Sequence, residues 1–238
     1  MPALTDIDVS IPLVIVTGAS SGIGAEIAVD LASDRTVVAI GRDEKRLADV
    51  ASRAADGAIV PVVLDLADPT AIEAALAGLP RVDAVVHAAA LLPHTTTETA
   101  TVSLWREMLD VNVVAPAELT RVLLPRLRDA RGTVVFIGSG ASRRAAAGHV
   151  VYGATKHALQ ALADALRQEV EPDGVRVSTV APGPTATSGA LAAEGLTRDE
   201  DGRRILPATV ARSVRHVIDA PADTQITEVW VRPRAELR

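Results

Sequence analysis

Residues 12–24 read Pro12-Leu13-Val14-Ile15-Val16-Thr17-Gly18-Ala19-Ser20-Ser21-Gly22-Ile23-Gly24. Leu13 to Thr17 are apolar and mostly β-branched with no polar face, the pattern of a strand buried on both sides. Gly18, Gly22 and Gly24 then punctuate a turn that opens onto Ala25 to Ala32, where the spacing of Ile27, Ala28 and Leu31 predicts a helix packed on a sheet. Strand, glycine-rich turn and helix predict a dinucleotide site. Glycines let backbone N–H groups approach a pyrophosphate, which the positive end of the helix dipole also favours. The spacing is Gly-x-x-x-Gly-x-Gly rather than the commoner Gly-x-Gly-x-x-Gly, so context has to support the reading.

Outward from this stretch, apolar runs predict strands over 36–40, 59–64, 82–87, 133–138, 175–180 and 226–231, and helical spacing predicts helices over 44–55, 70–77, 103–128, 149–170 and 207–218. The helix over 103–128 should be interrupted or bent near Pro116. It carries Asn112, a poor helix-interior residue whose polar groups need partners if buried, and which could mark a local break where backbone groups bind water. Residues 188–206 lack periodicity, hold Gly189, Gly195 and Gly202 and a charged patch from Arg198 to Arg204, and are expected to form a mobile substrate lid. Strands alternating with helices imply βαβ units. The expected fold is α/β, a Rossmann-like doubly wound parallel sheet of about seven strands with helices on both faces, in one domain spanning 1–238.

The composition agrees. A chain of 238 residues with 48% hydrophobic residues can fill one α/β core, and with only 2% aromatics that core must be built from Ala, Val, Leu and Ile. With no cysteine there can be no disulfide and no thiolate metal site, and no metal is expected. Met1 to Ser10 contains Asp6 and Asp8 and no basic segment, unlike a signal peptide. No apolar run reaches the roughly 18 residues of a membrane span. The net charge of −6 argues against a general nucleic-acid role. A soluble cytoplasmic protein is expected, with a small-molecule partner and neither nucleic acid nor membrane.

The end of the second strand bears on cofactor choice. An acidic side chain about 20 residues after the glycines usually accepts the adenosine ribose hydroxyls, whereas an arginine accommodates a 2′-phosphate. Gly41 occupies the acid position and Arg42 follows it with a guanidinium able to fork onto phosphate oxygens, while Asp43 reads as the N-cap of the next helix. NADP(H) is favoured and NAD(H) remains possible. Asp65 and Leu66 follow the third strand, where ligands bind in open α/β sheets, and the Asp65 carboxylate could accept the adenine amino group; either Asp65 or Asp68 could instead begin the helix from Thr70, and Asp68 suits that role better. Ala88, Ala89 and Ala90 after the fourth strand would let a cofactor lie against the backbone. His87 reads as a structural histidine bonded within the sheet.

Ser139 stands at the end of the fifth strand, and Tyr152 and Lys156, four residues apart, share one helical face. Thr17 to Gly24, Asn112, Ser139 and Tyr152-Gly153-Ala154-Thr155-Lys156, in this order and spacing, resemble the compact short-chain dehydrogenase/reductase family. Asp65 and Pro182-Gly183 with Thr187 extend the resemblance over nearly the whole chain. It implies that Tyr152 is the general acid/base, that Lys156 stabilises its phenolate and binds the nicotinamide ribose, that Ser139 bonds the substrate oxygen, and that Asn112 holds a water linking Lys156 to solvent. A free phenol has a pKa of about 10, so a cation one turn away, helped by the oxidised nicotinamide, should lower it. The implied cofactor residues are Gly18, Ser20, Ser21, Gly22, Ile23, Gly24, Gly41, Arg42, Asp65, Leu66, Ala88, Ala89 and Ala90, together with Tyr152, Lys156, Pro182, Gly183, Thr185 and Thr187.

Two departures stand out: His87-Ala88-Ala89-Ala90 replaces Asn-Asn-Ala-Gly, and Thr185 replaces an aliphatic residue beside backbone groups expected to hold the carboxamide. The implied activity is interconversion of a carbonyl and an alcohol. Reduction of an activated double bond or imine, or a catalytically silent nucleotide sensor, are the alternatives. Leu91, Leu92, Gly140, Ala141, Ala145, His149, Pro184 and Leu191 suggest a mainly apolar substrate pocket, with Arg143 and Arg144 read as solvated charges. The broad apolar stripe over 149–170 and the resemblance together imply a homo-oligomer, a dimer or tetramer.

Overall fold

The computed structural model describes residues 4–8, 10–68, 70–144, 146–193, 195, 197 and 203–235. Its strands are β1 (Leu13–Thr17), β2 (Thr36–Gly41), β3 (Ile59–Val63), β4 (Ala84–His87), β5 (Thr133–Ile137), β6 (Arg176–Pro182) and β7 (Glu228–Val231). They form one sheet in the order β3-β2-β1-β4-β5-β6-β7, every pair parallel. The helices are α1 (Gly22–Leu31), α2 (Glu44–Ala51), α3 (Thr70–Leu76), α4 (Val102–Leu109), α5 (Ala115–Ala130), α6 (Val150–Val170), α7 (Ser188–Ala193) and α8 (Pro207–Ile218).

Both sheet faces are covered, and the period of two along each strand divides the core. Leu13 and Ile15 join Val38, Val85 and Phe136 under Ile72 of α3, Leu119 and Leu123 of α5 and Leu159 of α6. Val14 and Val16 join Val37, Val86 and Val135 on the other face, against Ile27 of α1, Leu47 of α2 and Val214 of α8. This explains why β1 has no polar face: all five of its residues are buried, including Thr17 at its end. β1 pairs with β2 on one side and with β4 on the other, so its C-terminal end is the point where the strand order reverses and a crevice opens.

At the edge, β3 contains Pro61. Leu64 donates its N–H to the Gly41 carbonyl at 2.9 Å, and ladder donors recur every second residue, so Pro61, three positions earlier, turns its nitrogen away from β2 and costs the sheet nothing.

The long helix is broken, as Pro116 and Asn112 suggest, and the break is a π segment, Asp110–Val114, between α4 and α5. Ala115 donates to the Asp110 carbonyl, one residue beyond the α pattern, and Pro116 has no N–H to offer Asn112. Within 188–206, the described residues include regular structure that the sequence pattern does not show. Ser188–Ala193 is helical, started by the Thr187 hydroxyl accepting from Ala190 N at 3.1 Å and seated by the buried Leu191, while Ile205 forms a parallel bridge with Thr185. Six residues are too few to show a helical period. The expected mobility concerns residues that include 194, 196 and 198–202, which lie outside those described. Elsewhere the expected bounds shift by a few residues: β4 and β7 begin two later, α1 starts at Gly22, and α2 ends at Ala51.

Candidate active site

The glycine turn forms a cradle of bare backbone. Gly18 has φ +65°, and a Cβ there would lie 2.8 Å from the Ala89 backbone; at Gly24 it would lie 2.4 Å from the Gly18 carbonyl oxygen. Gly22 has φ +57° and faces Thr187, whose Cγ2 would be 3.2 Å from an added Cβ. Ser21 caps α1 in an extended conformation without a side-chain bond, leaving the first-turn N–H groups to other acceptors. Thr17, read in the sequence only as the start of the glycine motif, ties the cradle to β4, because its hydroxyl accepts from Ala88 N at 3.1 Å and Ala89 N at 3.2 Å. A strand-terminal threonine following four apolar residues is the one local signal for it. Ser20, Ser21, Gly22, Ile23, Ala88, Ala89 and Ala90 all line the same cavity of about 770 Å³. Backbone donors in a groove with no room for side chains fit a dinucleotide.

Gly41, Arg42, Asp65 and Leu66 line one end of this cavity. Arg42 is exposed and forms no ion pair with a described residue. Asp43 is turned away as an N-cap, accepting from Arg46 N at 3.0 Å and lying 3.3 Å from the Arg46 guanidinium. Asp65 accepts from Ala67 N at 3.0 Å, whereas Asp68 accepts from Thr70 N at 3.1 Å where α3 begins, so Asp68 starts the helix.

Ser139, Tyr152 and Lys156 meet on the cavity wall beyond the cradle. Ser139 leaves β5 into the 3-10 turn Gly140–Ser142, which it caps by accepting from Ala141 N at 3.1 Å. Tyr152 and Lys156 project from the first turns of α6, and the Lys156 ammonium lies 5.7 Å from the Tyr152 ring centre while donating to the Ile137 carbonyl at 2.8 Å. Burial pushes the Lys156 ammonium down to about 8. Burial also pushes the Tyr152 phenol up, and its hydrogen bond with the Ser139 side chain opposes that rise. The chain alone therefore raises the phenol rather than lowering it, because desolvation outweighs the Ser139 hydrogen bond.

Asn112 does not line the cavity. It is 1% exposed, accepts from Leu91 N at 2.8 Å, and donates to the Leu91 carbonyl at 3.0 Å and to the Thr155 hydroxyl at 3.1 Å. Both of its amide N–H groups and one lone pair of its oxygen are thus committed to protein. Thr155, to which the sequence motif gave no role of its own, donates in turn to the Tyr152 carbonyl at 2.9 Å. His87 is structural: its Nε2 lies 2.9 Å from the Thr120 hydroxyl, its ring stacks on Phe136 at 4.8 Å, and burial pushes it down to about 3.

Pro182, Gly183, Thr185 and Thr187 line the cavity after β6. Gly183 N is taken by the Val231 carbonyl at 2.8 Å, and the Thr185 hydroxyl is satisfied locally by the Gly183 carbonyl at 2.9 Å, which explains how a hydroxyl is accommodated there. Leu91, Leu92, Gly140, Ala141, His149 and Pro184 line the remaining wall. Leu191 does not; it is a buried residue of α7, and Ala145 lies outside the described residues. Arg143 turns outward to Glu228 at 3.3 Å, and Arg144 is exposed, as a solvated charge would be, while also lining the cavity. Arg204, from the charged patch of the expected lid, and Arg232, unforeseen in sequence, line it too.

The family model for short chain dehydrogenases matches residues 12–194. A short-chain type dehydrogenase/reductase of Sinorhizobium fredii is 35% identical over 94% of this chain and 92% of its own length. Among solved structures, an alcohol dehydrogenase of the archaeon Thermococcus sibiricus in complex with 5-hydroxy-NADP aligns with TM-score 0.86 at 25% identity, covering 95% of this chain and 98% of that one. A metagenomic short-chain oxidoreductase in complex with NADP aligns with TM-score 0.81 at 30% identity, covering 94% and 98%. Among the described residues no helix is long and apolar enough to cross a membrane.

Proposed function

Because this chain belongs to the short-chain dehydrogenase/reductase family, we propose that it is an NADP(H)-dependent oxidoreductase interconverting a ketone or aldehyde and the corresponding alcohol. The observation that carries this reading is the meeting of Ser139, Tyr152 and Lys156 on the wall of the cavity that the glycine cradle also lines. The nicotinamide supplies or accepts the hydride when bound. Gly18 to Gly24 and the start of α1 hold its pyrophosphate, and Arg42 its 2′-phosphate. Ser139 donates a hydrogen bond to the substrate oxygen. In reduction, Tyr152 gives its phenolic proton to that oxygen; in oxidation, the phenolate takes it back. A buried phenol pushed upward keeps its proton at neutral pH, which suits the donor role, and Lys156 nearby offsets the charge once the proton has left.

The test is a panel of carbonyls and alcohols followed by the absorbance of reduced nicotinamide. Tyr152→Phe should abolish nearly all turnover and change cofactor binding by no more than a few-fold, whereas Lys156→Ala should damage both. If Tyr152→Phe kept half of the wild-type rate, the assignment would be wrong. Assembly as a dimer or tetramer is part of the same proposal. It is supported by the exposed apolar residues Val102, Leu109 and Val114 beside α4 and α5 and by the exposed Ala154, Ala161 and Ala165 of α6. A monomer mass by light scattering at micromolar concentration would count against it.

A further inference from the structure

The charges on the cavity wall are unevenly spread. Asp65 is the only carboxylate among the described lining residues, and it belongs with Gly41 and Arg42 at the end of the cavity assigned to adenosine. The rest of the wall carries Lys156, Arg144, Arg204 and Arg232 with no acid among them, in a chain whose net charge is −6. General basicity therefore does not account for them. Arg204 and Arg232 are engaged by other groups of the chain, and the Arg232 guanidinium lies over Gly140, 2.9 Å from where a Cβ would stand. Arg144 differs. It is exposed at the cavity rim, and its backbone N–H is pinned to the Gly140 carbonyl at 3.2 Å, which holds it on the loop that carries Ser139, while its guanidinium has no hydrogen-bond or ion-pair partner among the described residues. Its neighbour Arg143 is drawn outward by Glu228, so only one of the pair is left to the cavity. Beside this wall the His149 ring stands edge-on to Tyr152 at 6.3 Å, with its Nδ1 buried and unpartnered.

We propose that the substrate carries an anionic group, a carboxylate or a phosphate, which the Arg144 guanidinium grips while Ser139 and Tyr152 hold the reacting oxygen. This rests on the oxidoreductase reading above. A planar guanidinium forks onto either kind of oxygen pair, and a cleft lined by cations raises the local concentration of anions. Leu91, Leu92 and Pro184 offer the carbon skeleton between the two polar ends an apolar wall.

The experiment compares two pairs of alcohols that differ by one charge, 3-hydroxybutanoate with its methyl ester and glycerol 3-phosphate with glycerol, at saturating NADP⁺. Wild-type kcat/KM should favour the anion in at least one pair by about tenfold or more, and Arg144→Gln should cut that ratio by about tenfold, mainly through KM. The two pairs separate carboxylate from phosphate recognition. Neutral members used as well as the anions in both pairs, or a ratio unchanged in Arg144→Gln, would overturn the proposal. Ligand-observed NMR with butanoate and with inorganic phosphate on the NADP⁺-loaded protein gives a readout independent of turnover. Binding that Arg144→Gln removes supports the anion site even if none of the four alcohols reacts, a result that would strike at the oxidoreductase reading instead. Failure of both anions to bind would overturn the anion site.

Discussion

Asn112 offers a sharp test of how the site is held together. In Asn112→Ala, three hydrogen bonds vanish together, those to Leu91 N, to the Leu91 carbonyl and to the Thr155 hydroxyl. Thr155 is 0% exposed and keeps only its bond to the Tyr152 carbonyl, while Leu91 is half-buried on the cavity wall and can recover part of its loss from water. At roughly 1 kcal/mol for each Leu91 group and about 1–2 kcal/mol for the enclosed hydroxyl, the loss is about 3–4 kcal/mol. That is a large share of a typical folding free energy of about 5–15 kcal/mol. For a chain of this length each kcal/mol shifts Tm by about 2–4 °C, so melting should fall by roughly 6–16 °C. Thermal unfolding followed by circular dichroism measures it directly. Thr155→Val in the Asn112→Ala background should cost less than in wild type, because the two residues share a bond. A Tm within about 2 °C of wild type would refute the claim that Asn112 straps the loop after β4 to α6, and would return it to a role through water alone.

His87 makes stability depend on acid. Its native value of about 3 lies below the ordinary 6.5, so between those values the unfolded chain binds a proton that the native chain refuses, and stability is lost as pH falls through that window. Urea midpoints at pH 7 and 5 should show the wild type losing about 1.4 kcal/mol per pH unit more than His87→Gln below pH 6.5, and parallel curves would refute it. For the cofactor, Arg42→Ala should raise the Kd for NADP by about tenfold or more and leave NAD nearly unchanged. Gly41→Asp should shift preference toward NAD, at the cost of displacing the Ser20 side chain, 3.2 Å from the new Cβ. Calorimetric titration of both nucleotides decides this, and equal or tighter binding of NAD by the wild type would overturn the choice of NADP.

The legible part of the chain was the part written locally. The glycine turn and the Tyr152-to-Lys156 spacing each declare themselves within a few residues, and alternating β-branched runs with helical stripes were enough to give the parallel sheet. What escaped the sequence is assembled at long range. Thr17 acquires its role only when β4 lies beside β1, and Arg232 reaches Gly140 only because β7 closes the sheet next to β6. Arg143 and Arg144 are equivalent in sequence until Glu228, brought in by the last strand, removes one of them. Asn112 was visible as an anomaly in a helix, but its partners, Leu91 and Thr155, lie 21 and 43 residues away. The helix at Ser188–Ala193 was missed because it is set by the Thr187 cap and the burial of Leu191 rather than by any period.

Pro61 has a consequence for behaviour in crowded solution. A sheet of parallel strands has two raw edges, each a template on which a stray extended segment can add another rung. Along β3 the outward row has lost a donor at its midpoint, because the one residue there without an N–H faces away from β2. A segment arriving on that side finds its register interrupted after a single residue. The opposite edge, β7, has no proline from Glu228 to Val231 and leaves Trp230 43% exposed. Templated growth on this protein is therefore one-sided, and under partial denaturation the nucleus for self-association should form at β7, with β3 acting as a terminator.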